Sequence, residues 1–243
     1  MTHGAMPPQV TGLLEELAQS DGVVAVTIGG SRATGMADEN SDWDVGVFYE
    51  GAPDLGAVSR RGELHAPGSW GRFMNGGAWL VLDGVEVDVL LRDISVARHW
   101  ADRARRGEFE IDHLLGHLAG WPSYTLVAKV ACSRVVSGRI DIDTAFPAAL
   151  TATAARRWEY HREFSLEYAM THARRGDSTA ALGNVVRAAM EEAHRRMAER
   201  GTWVLNEKRL LAEAGITATE WLEDGDVVDP VVLVESAAHA LRA

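Results

Sequence analysis

The sequence predicts an α+β protein, a small mixed β-sheet domain followed by an all-α helical bundle. Two observations carry this prediction. Short β-rich runs and one Asp-Gly hairpin are confined to the chain before about residue 95, and long stretches with apolar residues at helical spacing fill the remainder. An apolar content of 47% with 24% charged residues is ordinary for a globular chain, and 243 residues suffice for one large or two small domains with real cores.

Taken in order, residues 9–20 place Val10, Leu13, Leu14 and Leu17 on one face of an amphipathic helix. Val23 to Ile28 is an apolar, β-branched run that reads as a buried strand. It breaks at Gly29-Gly30, where the backbone can turn tightly and approach a ligand. Ser31 to Thr34 can then open a helix whose first amides point at a bound anion. After Gly35 the chain runs through Asn40-Ser41-Asp42 into a second strand, Trp43 to Phe48. Period-two alternation puts Trp43, Val45 and Val47 on one face and Asp42 with Asp44 on the other. A phosphate cradle followed by two carboxylates aimed the same way is hardware for a metal-bound polyphosphate.

A short helix is expected from Pro53-Asp54 to about Arg60, then a glycine-rich loop over 63–76. Ala78–Leu82 and Val85–Leu90 flank Asp83-Gly84 as a β-hairpin. Val85, Val87 and Val89 share one face of its second strand, while Glu86 and Asp88 share the other. A mid-strand carboxylate such as Asp88 costs several kcal/mol to bury unless it is paired or binds metal; a solvated edge strand is the alternative.

Helices are predicted from there on. Asp93 caps one over Val96–Arg106; others cover Ile111–Leu118 and Tyr124–Val136. Pro147 sits in the first turn of a long helix carrying Leu150, Ala154, Trp158, Leu166 and Ala169, which ends near Gly176-Asp177. Ser178 caps the next, which runs through Val185, Met190, Ala193 and Met197 to Gly201. Two long helices joined by a tight turn form an antiparallel pair, the centre of a bundle. Glu207–Ala214 and Pro230–Leu241 are shorter packing helices. The expected division is 1–138 and 139–243, with Ser137-Gly138-Arg139 as the linker-like point in a transition that spans 95–145.

The order strand, Gly-Gly-Ser, Gly, Ser-Asp-x-Asp, apolar strand, running from Gly29 to Val47, resembles the signature of the DNA polymerase β-type nucleotidyltransferase superfamily. The nearest resemblance is to small bacterial aminoglycoside-type nucleotidyltransferases and the uncharacterised proteins grouped with them. It implies Asp42 and Asp44 as ligands of Mg²⁺, in two-metal form, with Asp88 completing the site beside the acceptor and serving as its base. Gly29, Gly30, Ser31 and Ser41 fall in the nucleotide-binding segment; Arg32 is either a further phosphate contact or a surface charge. In the antibiotic-modifying relatives, an arginine on a bundle helix and a lysine at the start of a later helix hold the leaving pyrophosphate. Arg187 and Lys208 match those roles at a longer spacing, with two solvated basic residues as the alternative. Glu163 and Glu167, one turn apart, are a solvated face or a second source of a base.

The implied reaction transfers a nucleoside monophosphate from a nucleoside triphosphate, ATP by preference, to a hydroxyl of an aminoglycoside-like small molecule. A toxin-type enzyme modifying tRNA or protein, and a non-catalytic antitoxin-like partner, are the alternatives. A net charge of −11 argues against broad nucleic-acid binding and suits a cationic acceptor. Cys132, the sole cysteine, excludes an internal disulfide and a multi-cysteine zinc site. Without an apolar run near the ~20 residues of a membrane span, or a basic-then-apolar N-terminus, a cytoplasmic enzyme, monomeric or homodimeric, is expected. Trp70, Trp79 and Trp100 are expected mostly in the core, although Trp70 can stack on a ring from its loop. The spacing of Arg156 and His161 resembles that of HEPN ribonucleases, a match that an arginine-rich helix produces by chance.

Overall fold

The computed structural model describes residues 6–35, 41–217 and 229–243. Asn40 of the glycine–aspartate signature therefore lies outside the described residues. The chain groups into two compact units, one formed by 1–102 with 123–145 and the other by 103–122 with 146–243. The single expected cut after residue 138 thus meets a chain that passes between units three times.

The first unit is built on a mixed five-stranded sheet of β1 (Val23–Ile28), β2 (Trp43–Tyr49), β3 (Gly76–Leu82), β4 (Val85–Asp93) and β7 (Arg134–Gly138), in the order β3-β4-β2-β1-β7. β2 and β4 are parallel; the other neighbours are antiparallel. Helix α1 (Pro8–Ala18) covers one face, burying Val10, Leu13, Leu14 and Leu17 against Val26, Ile28, Val45, Val47, Val87 and Val89. On the opposite face, Ala25 and Phe48 pack with Ile94 of α4 (Ile94–Arg105) and Val130 of α5 (Thr125–Ala131). Period-two alternation explains both layers: odd positions of β2 and β4 serve the α1 core, and even positions face the other way.

One expected helix is replaced and another is cut short. The stretch 111–118 holds the short strand β5 (Ile111–Asp112), paired with β6 (Trp121–Pro122). Gly116 adopts a left-handed conformation, and the amides of Leu118 and Ala119 donate to the buried side chain of Glu207 at 2.6 and 2.9 Å, so no helix claims them. The helix expected over 124–136 stops at Ala131. Its last residues, with β-branched Val135 and Val136, become β7 and pair with the edge of β1, where Gly138 meets Ala25. The expected linker is therefore sheet. The cap of the second long helix is Asp177, one residue before the expected Ser178; its carboxylate accepts from Ala180 N at 3.1 Å.

The second unit centres on α6 (Ala148–Ala173) and α7 (Ser178–Glu199), with α8 (Leu210–Ala214) and α9 (Pro230–Arg242) packed on them. Leu166, Ala169, Val185, Ala189, Leu210 and Val234 lie in its core. Glu192, fully buried on α7, accepts from Arg162 Nη1 at 2.6 Å, Arg195 Nε at 2.8 Å and Arg196 Nε at 2.7 Å. Burial alone would push its carboxyl up, but the bonds from Arg195, Arg196 and Arg162 outweigh this and hold it below the ordinary value.

Glu192→Ala should destabilise the protein by about 3–5 kcal/mol, because three arginines lose a buried partner; urea unfolding followed by circular dichroism measures it. In the wild type this contribution is present above the unfolded carboxyl value of 4.5 and is lost as pH falls through the lower folded value. The variant should show a flatter stability profile across that acid window.

Candidate active site

Parallel pairing of β2 and β4 sets Asp44 directly beside Asp88. Asp42 lies just before β2 on the same side, and one oxygen from each of the three carboxylates lies within 4.8 Å of the others. All three are half-buried. An all-carboxylate donor set without histidine or cysteine fits a hard, oxygen-seeking divalent cation such as Mg²⁺. The three residues singled out from the sequence are thus brought together, two from the start of β2 and one from β4.

The glycine turn is locked against this cluster. Gly29 N donates to Asp44 O at 2.8 Å, tying the turn to the second carboxylate residue. Gly30 opens α2 (Gly30–Thr34) with φ +59, and a Cβ there would fall 1.7 Å from Asp44 Oδ2. Position 30 therefore admits only glycine, for its backbone and for the carboxylate that occupies the side-chain space. Ser31 stands half-buried in the first turn of α2.

Arg32 has a defined structural place. Its Nε donates to Asp42 O at 3.0 Å, its Nη2 donates to Ser41 O, and its guanidinium lies 4.3 Å from the centre of the Trp43 ring. It clamps the backbone that carries Asp42, and Ser41 enters the site through its carbonyl as part of that clamp.

Arg92 escaped the sequence reading. It lies on β4 four residues beyond Asp88, on the same face, and is only 2% exposed. Nη1 donates to Leu91 O at 2.8 Å, while Nη2 has no hydrogen-bond partner among the described residues. Burial pushes its pKa down to about 10, with the Asp44 charge acting in the opposite direction, so the group stays cationic at neutral pH. It lines a cavity of about 30 Å³ with Gly30, Asp44, Gly46, Lys129 and Ser133. Gly46 makes room there: a Cβ at that position would come within 2.4 Å of Thr27 Oγ1. The available sequence signal was the alternation Glu86, Asp88, Leu90, Arg92, which puts the arginine under the carboxylates.

The remaining candidates belong to the second unit. Arg187, on α7, is part-exposed and its Nε donates to the buried Glu191 at 3.0 Å. Lys208 is exposed two residues before α8, with its backbone N–H donating to Asn206 Oδ1 at 2.8 Å. Glu163 is held by Arg162 and Arg242, which keep its carboxyl below the ordinary range. That pairing gives Glu163 a structural use.

A glycine turn tied to a three-carboxylate cluster on a mixed sheet is suited to holding a divalent cation beside an anionic ligand. Residues 10–110 match the family model of the nucleotidyltransferase domain, a match over less than half of the chain that supports a nucleotidyltransferase. A solved nucleotidyltransferase-like protein from Exiguobacterium sibiricum is similar over 96% of this chain and 73% of its own, with 12% identity and a TM-score of 0.49. Among curated proteins nothing matches the sequence. No described helix is long and apolar enough to cross a membrane.

Arg92→Met should destabilise the metal-free protein by about 2–4 kcal/mol, since the carboxylates lose their internal cation. Saturating Mg²⁺ should recover part of that loss, because the site left behind is more negative and binds a cation more tightly. Chemical unfolding with and without Mg²⁺ reads both effects; equal losses in the two conditions would separate Arg92 from the cluster.

Proposed function

We propose that the protein transfers a nucleoside monophosphate, from ATP by preference, to a hydroxyl of a small acceptor such as an aminoglycoside-like antibiotic. The observation that carries this reading is the Asp42–Asp44–Asp88 cluster pressed against Gly30. Bound Mg²⁺, in one- or two-ion form, would supply charge neutralisation for the triphosphate and polarise the acceptor oxygen. Asp42 and Asp44 hold the triphosphate end, with Gly29, Gly30 and Ser31 as its backbone cradle. Arg32 acts through Ser41 and Asp42 by fixing the chain that presents them. Asp88 takes the acceptor proton as the acceptor oxygen bonds to the α-phosphorus and the bond to pyrophosphate breaks. Arg187 and Lys208 are the proposed cations for the leaving pyrophosphate, and the expected cytoplasmic location is part of the same reading. The net charge of −11 supports a cationic small acceptor over tRNA.

Asp42→Asn or Asp44→Asn should remove transfer by orders of magnitude while leaving the circular-dichroism spectrum and melting behaviour native-like or improved, because each change relieves like-charge repulsion. Asp88→Asn should keep affinity for a non-hydrolysable ATP analogue while turnover collapses; exposed Glu86, one pleat along, should tolerate Glu86→Gln with much smaller loss. Labelled-nucleotide transfer and titration calorimetry on the variants side by side decide this. A dead Glu86→Gln with an active Asp88→Asn would transfer the role to Glu86.

A further inference from the structure

Trp79 departs from the sequence expectation most clearly, being 63% exposed instead of buried. Its antiparallel partner on β4 is Asp88, so the indole stands on the same face as the third carboxylate, one strand away. Trp70 comes onto it from the glycine-rich loop, with ring centres 4.7 Å apart, and His65 closes the group at 5.1 Å from Trp70 and 5.2 Å from Trp79.

The arrangement is anchored. His65 and Gly77 exchange backbone hydrogen bonds of 2.8 and 2.9 Å, and Trp70 N donates to Asn75 O at 3.4 Å. A Cβ at Gly77 would meet Trp70 Cζ3 at 2.8 Å, so the indole lies against the strand itself. Trp100, by contrast, is buried edge-on to Phe73 as a core residue should be.

Strand order supplies the direction. From β1 to β3 the sheet presents the glycine turn, then Asp42 and Asp44, then Asp88, then Trp79. The nucleotide occupies the glycine side in the reading above, which leaves the β3 side of Asp88 to the acceptor. Glu86 stands exposed on the same face, opposite exposed Val81. A flat apolar platform bordered by carboxylates takes a ring that carries an amine, its C–H face on the indole and its ammonium toward the acid.

We infer that Trp79, backed by Trp70 and His65, is the acceptor-binding platform of this enzyme, and that it takes an amine-bearing saturated ring such as an aminocyclitol. This rests on the nucleotidyl-transfer reading for the side from which the acceptor comes. The probe is 2-deoxystreptamine, with scyllo-inositol as the ring without amines. In full-length protein labelled with ¹⁵N-tryptophan, the indole signals of Trp70 and Trp79, assigned from Trp70→Phe and Trp79→Phe, should shift saturably on titration with 2-deoxystreptamine.

Trp79→Ala should weaken this probe by about tenfold and leave affinity for a non-hydrolysable ATP analogue with Mg²⁺ within about twofold, because the indole lies beyond the carboxylates. Glu86→Gln should weaken 2-deoxystreptamine and leave scyllo-inositol unaffected. Stationary Trp70 and Trp79 signals, or an unchanged affinity in Trp79→Ala, overturn the platform. Absence of nucleotide binding in the wild type, with the indole shifts intact, would overturn the transferase reading and keep the ring site.

Discussion

Parallel pairing of β2 with β4 in the register that sets Asp44 beside Asp88 is the constraint on which the first unit depends. Carboxylates a few ångströms apart disfavour one another's charged form, so the register is costly as electrostatics and must be imposed by something else. The imposing force is apolar. The same register buries Val45, Val47, Val87, Val89 and Leu91 under α1, and a slip of one residue would turn all of them outward. Hydrophobic burial on one face thus holds an unfavourable charge cluster together on the other.

The surrounding residues make that cluster tolerable. Gly30 and Gly29 bring backbone, rather than side chain, against Asp44. Arg32 fixes the Ser41–Asp42 carbonyls against Trp43 from outside, and Arg92 places a buried cation beneath Asp44. The two arginines act differently. One is a geometric clamp on backbone, and the other is a charge in a low-dielectric setting whose field reaches the carboxylates with little screening.

The sequence disclosed whatever repeats with a fixed period or occupies consecutive positions. The sheet faces, the Asp-Gly hairpin, the two long helices and the Gly-Gly turn with Asp42 and Asp44 all belong to this kind. Asp88 was half legible: alternation gave its face, and only the superfamily resemblance gave its partners. What stayed hidden depends on distant chain. β7 exists because β1 offers an unpaired edge, so Val135 and Val136 read locally as helix become strand. Glu207 withdraws the Leu118 and Ala119 amides from a helix nearly ninety positions away in sequence, a contact with no local signature. Trp79 was misplaced because its strand reads as apolar throughout, and only the cross-strand partner Asp88 shows which face is polar.

The two units handle buried charge in opposite ways, and the contrast separates scaffold from site. In the bundle, one buried carboxylate, Glu192, receives three arginines, so its acceptor capacity is consumed within the fold. Such a centre has nothing left to offer a ligand. Beside the sheet, three half-buried carboxylates gather near the buried Arg92, with Lys129 lining the same cavity as Asp44, so like charges meet at a half-open surface. In the proposed reading, a divalent ion with its triphosphate would approach that cluster from the glycine side. An ammonium group on the inferred acceptor ring over Trp79 would approach it from the side of Glu86 and Asp88. The same carboxylate cluster would therefore serve both the proposed donor chemistry and the selectivity inferred for the acceptor.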